Sequence, residues 1–147
     1  MITSGSIQTI VHNMNFPIVL VVAVALIDID GRILISRRPE DKNMGGLWEF
    51  PGGKVEPEES PEGALIRELK EEINIDVSAS CLAPFTFASY CYDDFHLLMP
   101  LYVCRVWSGQ IKAREGQSLE WVFPLDLAKY PMLPADAPLV PMLRDLL

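Results

Sequence analysis

Apolar residues run without a polar break from Ile18 to Ile27, the longest such stretch in the chain. A Val- and Ile-rich run of that kind predicts a strand over 18–28 that is buried on both faces. Asp30-Gly31 is a hairpin signal, and Arg32 to Ser36 returns as a second strand. Residues 37–58 carry Pro39, Gly45, Gly46, Pro51, Gly52, Gly53 and Pro57. That density of breakers predicts a loop with one short strand near Trp48 to Phe50. Further strands are predicted near 82–90, 95–106 and 119–123, the first two joined by a turn at Tyr92-Asp93-Asp94. Pro124 opens a short helix or turn through Lys129, and Pro131, Pro134 and Pro138 stiffen the loop that follows. Leu139 to Leu146 reads as a terminal helix that tolerates Pro141 only in its first turn.

The strongest helix lies in the middle of the chain. Ser60-Pro61-Glu62 supplies a capping hydroxyl, a proline at the first helical position and an acid in the first turn. The helix is predicted from Pro61 to Ile73, with Asn74 as a left-handed C-cap. Leu65, Leu69 and Ile73 form an apolar stripe that faces the core. Helices interleaved with hairpin and crossover connections predict a mixed sheet covered by helices, of the α/β (α+β) class. The length of 147 residues fits a single domain over 14–147, preceded by a flexible extension at 1–13 that shows no clear period.

Composition narrows the function. The net charge of -8 argues against stable nucleic-acid binding, which needs Lys and Arg against phosphates. It leaves small phosphorylated ligands open, because bound metal ions invert the local sign of charge. Cys81, Cys91 and Cys104 have no CxxC spacing and read as reduced thiols, and zinc is disfavoured by the wide separation of His12 and His96. The run at 18–27 is too short for a bilayer span and has no basic start, so no membrane association is expected and the expected compartment is the cytoplasm.

Glu68, Glu71 and Glu72 share one face of the central helix, where like charges repel. A solvated surface balanced by Arg67 and Lys70 is one reading. The other is a site for Mg²⁺ or Mn²⁺, which prefer carboxylate and carbonyl oxygens. The Gly-rich turn Phe50-Pro51-Gly52-Gly53-Lys54 just before the helix favours the second, since glycines let backbone approach a ligand and Lys54 adds a cation.

Gly53, Glu59, Arg67-Glu68-Leu69, Glu71-Glu72 and Ile75, at their spacings, resemble the signature of the Nudix hydrolases, G-x5-E-x7-R-E-U-x-E-E-x-G-U. Asn74 stands where that pattern has Gly. The wider chain from about residue 17 resembles the MutT branch, whose members hydrolyse nucleoside triphosphates, including oxidised dGTP. The resemblance implies a Nudix-type α/β/α sandwich with a mixed central sheet. It implies a Mg²⁺ cofactor, with Mn²⁺ as substitute, and a small-molecule nucleotide as substrate. Water attack at the β-phosphorus, giving a nucleoside monophosphate and pyrophosphate, is implied too, as is a role in nucleotide-pool sanitation that supports DNA replication and repair.

Carried over by position, Glu71, Glu72, Glu115 and the Gly52 carbonyl would ligate metal. Glu68 would be general base or a further ligand, and Arg67 would orient the acids. Arg38 and Asp136 would contact the nucleotide, with Phe50 or a neighbour against the base and Lys54 near the phosphates. Asp136 departs from the Asn of the bacterial MutT enzyme; an ionised Asp only accepts hydrogen bonds, and a relative preferring cytidine nucleotides also carries Asp here. Tyr90 and Tyr92 fall about where dinucleoside polyphosphate hydrolases of the superfamily carry a marker Tyr. Action on another nucleoside diphosphate derivative, and a non-catalytic nucleotide-binding module, are the alternatives. A monomer or weak homodimer is expected.

Overall fold

The computed structural model describes residues 17–147; the extension expected at 1–13 lies outside them. Seven strands follow the chain: β1 (Ile18–Leu26), β2 (Ile33–Arg37), β3 (Trp48–Glu49), β4 (Gly52–Lys54), β5 (Ala83–Cys91), β6 (His96–Cys104) and β7 (Ser118–Val122). The helices are α1 (Pro61–Ile73) and α2 (Leu139–Leu146), with 3₁₀ turns at Ala79–Cys81 and Pro124–Lys129. The larger sheet has the order β4-β1-β6-β5, and the smaller has the order β3-β2-β7. β1 runs parallel to β6, and the other pairings are antiparallel, so the sheet is mixed.

β1 is buried on both sides, as its composition requires. Val22, Val24 and Leu26 pack with Leu65, Leu69 and Ile73 of α1. Ala23, Ala25 and Ile27 pack with Ile33, Ile35 and the α2 residues Leu139, Val140 and Leu143. These two clusters are the two halves of an α/β/α sandwich. No helix among the described residues is long and apolar enough to cross a membrane.

Two details differ from the sequence reading. Residues 52–54, expected as loop, form β4, paired with β1 through Val21–Lys54, Val22–Gly53 and Ala23–Gly52. The glycines there do not break the strand; they admit it. A Cβ on Gly52 would lie 1.9 Å from the Val22 carbonyl oxygen. The 3₁₀ turn at Ala79–Cys81 was also unforeseen; its Ser78 cap makes no side-chain hydrogen bond.

α1 begins and ends as expected. Ser60 Oγ accepts from the Gly63 N–H at 3.0 Å, and Pro61 follows it. Asn74 adopts φ 66°, ψ 28°, the left-handed cap conformation, and its N–H reaches the Leu69 and Lys70 carbonyls. Its side-chain amide donates to the Gln110 carbonyl at 3.3 Å, tying the helix end to the following loop. Asn74→Gly relieves the positive φ and loses that exposed bond, so urea melts should show a net change within about 1 kcal/mol. Asn74→Val should cost more than Asn74→Gly, because a β-branched residue resists positive φ. A Val variant as stable as the native chain would overturn the cap assignment.

Candidate active site

Because Leu65, Leu69 and Ile73 are anchored in the core, the neighbouring face of α1 is turned against β4. Gly53 lies directly on Glu68: a Cβ there would come within 2.3 Å of the Glu68 carboxyl carbon. The Gly-rich strand is thus a cradle for a carboxylate.

Arg67 organises the acids around it. Its Nε and Nη2 each donate to Glu59 at 2.8 Å, a bidentate fork. Nη1 donates to Glu68 at 3.0 Å and to Glu71 at 3.4 Å, and Nη2 also reaches the Lys54 carbonyl at 3.2 Å. One guanidinium therefore joins the loop before α1, the helix and β4. The hydrogen bonds from Arg67 hold the Glu59 carboxyl down at about 2.

Glu72 is in the opposite condition. Burial, followed by the charges of Glu68, Glu115 and Glu49, pushes its pKa up to about 9, and the nearby Gly52 N–H offsets part of this. Burial also raises Glu68, with Glu71 and Glu115 adding repulsion and Arg67 opposing it. Glu115 is brought there by the loop over 112–117, which docks on the C-terminal end of α1. The Lys112 N–H donates to the Ile73 carbonyl at 3.0 Å. The Arg114 N–H and Gln117 Nε2 both donate to the Glu72 carbonyl, each at 2.9 Å.

Two cavities meet over these residues. A polar one of about 580 Å³ is lined by Glu49, Glu72, Glu115, Gln117, Arg38 and Lys42 among others. An apolar one of about 410 Å³ has Val21, Leu97, Met99, Phe50, Tyr92 and Asp136 in its walls. Arg38, Asn43 and Glu49 line both and mark the junction.

Asp136 is 4% exposed. The chain holds it there by docking residues 131–133 along β3: the Trp48 N–H donates to Pro131 at 2.9 Å and the Leu133 N–H to Trp48 at 2.8 Å. Asp136 Oδ2 then accepts from the Phe50 N–H at 3.0 Å. Burial raises the Asp136 pKa to about 7, with Glu49 adding to the rise and the Phe50 N–H and Arg38 opposing it.

The structure brings together Arg67, Glu68, Glu72, Gly52 and Glu115, and separately Arg38, Phe50 and Asp136. Glu71 stands outward, its side chain 55% exposed beside Arg67, and does not line the polar cavity. Lys54 lines the apolar cavity and not the polar one, so it does not stand among the acids. Glu49 was missed from sequence. It pairs with Arg38, which also donates to the Asn43 carbonyl at 3.1 Å. An acid beside Trp48 and Phe50 in a predicted strand was the available signal. Tyr92 stacks on Phe95, ring centroids 5.0 Å apart, and forms part of the apolar wall. His96, by contrast, is occupied by Ser89 at 2.6 Å.

The acids offer hard oxygen donors, as Mg²⁺ requires, and the glycine cradle and mutual repulsion at Glu72 fit a divalent cation. Among the described residues no three His, Cys, Asp or Glu side chains converge closely enough to hold an ion alone.

The chain is similar to known proteins in sequence and in fold. Residues 22–142 match the family model described as NUDIX domain. The chain is 40% identical to the CTP pyrophosphohydrolase of Escherichia coli K12 over 81% of its own length and 87% of that protein's. It is 35% identical to the 8-oxo-dGTP diphosphatase of the same organism, over 86% and 98%. A structure from a study of MutT from Aliivibrio salmonicida and Vibrio cholerae superposes with a TM-score of 0.76 at 37% identity, covering 88% of this chain and 99% of that one.

The acids give a test with a definite sign. Glu72 binds its proton more tightly in the folded chain (about 9) than at its ordinary 4.5. Its contribution to stability is therefore full below about pH 4.5 and lost as pH rises toward 9. A bound divalent cation reverses that loss. Mg²⁺ should raise Tm more at pH 8.5 than at pH 5.5, with the increment largely gone in Glu72→Gln. The same variant should lose about 10²-fold or more in kcat. A Gln variant with an undiminished Mg²⁺ increment and native turnover would remove Glu72 from the metal site.

Proposed function

We propose, for a chain that belongs to the Nudix hydrolase family, that it is a Mg²⁺-dependent nucleoside triphosphate pyrophosphohydrolase releasing a nucleoside monophosphate and pyrophosphate. The observation that carries this reading is the junction of an apolar cavity containing one buried carboxyl with a polar cavity rimmed by acids. A base fits the first, and its phosphates lead past Arg38 into the second. Mg²⁺ held by Glu68, Glu72, Glu115 and the Gly52 carbonyl, with the exposed carboxylate of Glu71 turning in from Arg67 to join them, would neutralise phosphate charge and acidify a water. Glu68, half-buried and held by Arg67, is positioned in this reading to accept the proton of the attacking water or to serve as a further ligand. Arg67 fixes the carboxylates, and Arg38, itself held by Glu49, orients the nucleotide at the junction. Turnover of this kind on oxidised dGTP in the cytoplasm would serve nucleotide-pool sanitation, with the chain acting as a monomer or weak homodimer.

Base choice turns on Asp136. Protonated, its carboxyl both donates and accepts and can meet the O6 edge of oxidised guanine; ionised, it only accepts and favours an amino group such as cytosine N4. The pKa near 7 puts both forms within the working range. Oxidised dGTP is the first reading, with the Escherichia coli 8-oxo-dGTP diphosphatase among the similar proteins. Cytidine triphosphates are the second, favoured by the ionised form and by the likeness to a CTP pyrophosphohydrolase.

A nucleotide panel with Mg²⁺ and identification of the phosphate product tests the reaction; release of orthophosphate in place of pyrophosphate would refute it. The kcat/KM ratio of 8-oxo-dGTP to dCTP should fall as pH rises through about 7, because Asp136 ionises there. Asp136→Asn should raise the ratio at pH 8 by roughly 5- to 150-fold and flatten its pH dependence. An unchanged ratio in the variant would take Asp136 out of base recognition.

A further inference from the structure

The segment between β2 and β3 forms a compact arm over the polar cavity. Its base is closed by the Gly46 N–H on the Arg38 carbonyl at 2.9 Å and the Arg38 N–H on Leu47 at 3.0 Å. At its tip the Lys42 N–H donates to Pro39 at 3.1 Å and the Gly45 N–H to Lys42 at 3.0 Å. Gly45 is packed so tightly that a Cβ would lie 2.5 Å from the Pro39 carbonyl oxygen. Arg37 pairs with Glu40 and donates to the Gly46 carbonyl at 3.2 Å, bracing the arm from outside.

This arm carries Lys42 over the acids. Arg38 and Asn43 line both cavities, whereas Lys42 lines only the polar one. It therefore stands on the polar-cavity side of the junction. Arg38, the other cation lining the polar cavity, is engaged by Glu49; Lys42 has no ion pair among the described residues. Pro39 nearly meets the opposite loop, since a Cβ on Gly116 would lie 3.8 Å from its ring. Lys42 thus sits on a braced arm and lines the same cavity as Glu72 and Glu115.

We propose that Lys42 binds the terminal phosphate of the substrate and so lets the enzyme discriminate triphosphates from diphosphates, an inference that rests on the triphosphate reading above. A diphosphate is one phosphate shorter and ends before it reaches this group. The Lys42 side chain is exposed and only its backbone takes part in the arm's turns, so its replacement leaves the fold intact. A lysine acts on phosphate as a point charge, which makes Arg a fair substitute and Met a neutral one of similar length.

The experiment is calorimetric binding of a non-hydrolysable α,β-methylene nucleoside triphosphate and of the matching diphosphate, at fixed Mg²⁺, to the native chain, Lys42→Met and Lys42→Arg. The Met variant should bind the triphosphate about tenfold more weakly, the diphosphate within twofold of native, and the Arg variant should recover most of the loss. Equal losses for both ligands, or no loss for either, would overturn the assignment. A native chain that shows this difference but turns over no triphosphate would sink the reaction and leave Lys42 as a terminal-phosphate group. A native chain that binds neither nucleotide overturns both.

Discussion

The distance between α1 and the sheet is set where Gly53 meets Glu68, and the rest of the site depends on it. A methyl group at that position would occupy the place of the carboxylate, and the helix would have to withdraw. Gly52 does the same on the other side, where β4 lies against the Val22 carbonyl. Two residues without side chains thus allow three backbones, β1, β4 and α1, to stack at close range. The acids of α1 are held at a fixed height above the strand because the Leu65, Leu69 and Ile73 stripe cannot shift within a close-packed core. Arg67 then ties the face together through Glu59, Glu68 and the Lys54 carbonyl.

This arrangement explains which features the sequence discloses. Positions whose role is local are legible: the Ser60 cap, the Leu65/Leu69/Ile73 period and the left-handed Asn74 all lie within one helix and its ends. The buried strand at 18–26 is legible because burial on both faces leaves no polar position. β4 is not, because glycine signals a loop unless one knows that another backbone presses on it. The acidic face is recognised by spacing, yet spacing does not tell Glu72, surrounded by other acids, from Glu71, which leans out to Arg67. That distinction depends on the loop at 112–117 reaching back to the helix end from more than thirty residues away, as the Asn74–Gln110 contact does.

The part of the site around Phe50 and Asp136 is less legible, for the same physical reason. Phe50 and Asp136 are separated by 86 positions and share one hydrogen bond, so the link exists only in the fold. Lys54 has the expected charge, but β4 turns it to the apolar cavity, because strand alternation places it on the side opposite Gly53's neighbour Glu68. The residue type of Asp136 alone poses a donor-acceptor question. Whether it carries a proton depends on burial and on Glu49 and Arg38, which lie far from it along the chain.

The acids cannot account for their own placement. Glu49, Glu68, Glu72 and Glu115 repel one another, and the raised pKa at Glu72 records that repulsion together with its burial. Something else must hold them in position, and three neutral or cationic devices do so. The hydrophobic stripe fixes α1, the Arg67 fork fixes Glu59 and Glu68, and the helix-end carbonyls of Glu72 and Ile73 anchor the loop that carries Glu115. The stripe and the loop anchor are complete without the charges they present, and the Arg67 fork engages Glu59 and one of the site acids, Glu68. The cost of gathering the acids is therefore met by packing and hydrogen bonds outside the cavity, which leaves their carboxylates available to a divalent cation and a polyphosphate. Glu72 and Glu115 have no ion pair among the described residues, whereas Glu68 shares Arg67 with Glu59 and Glu71.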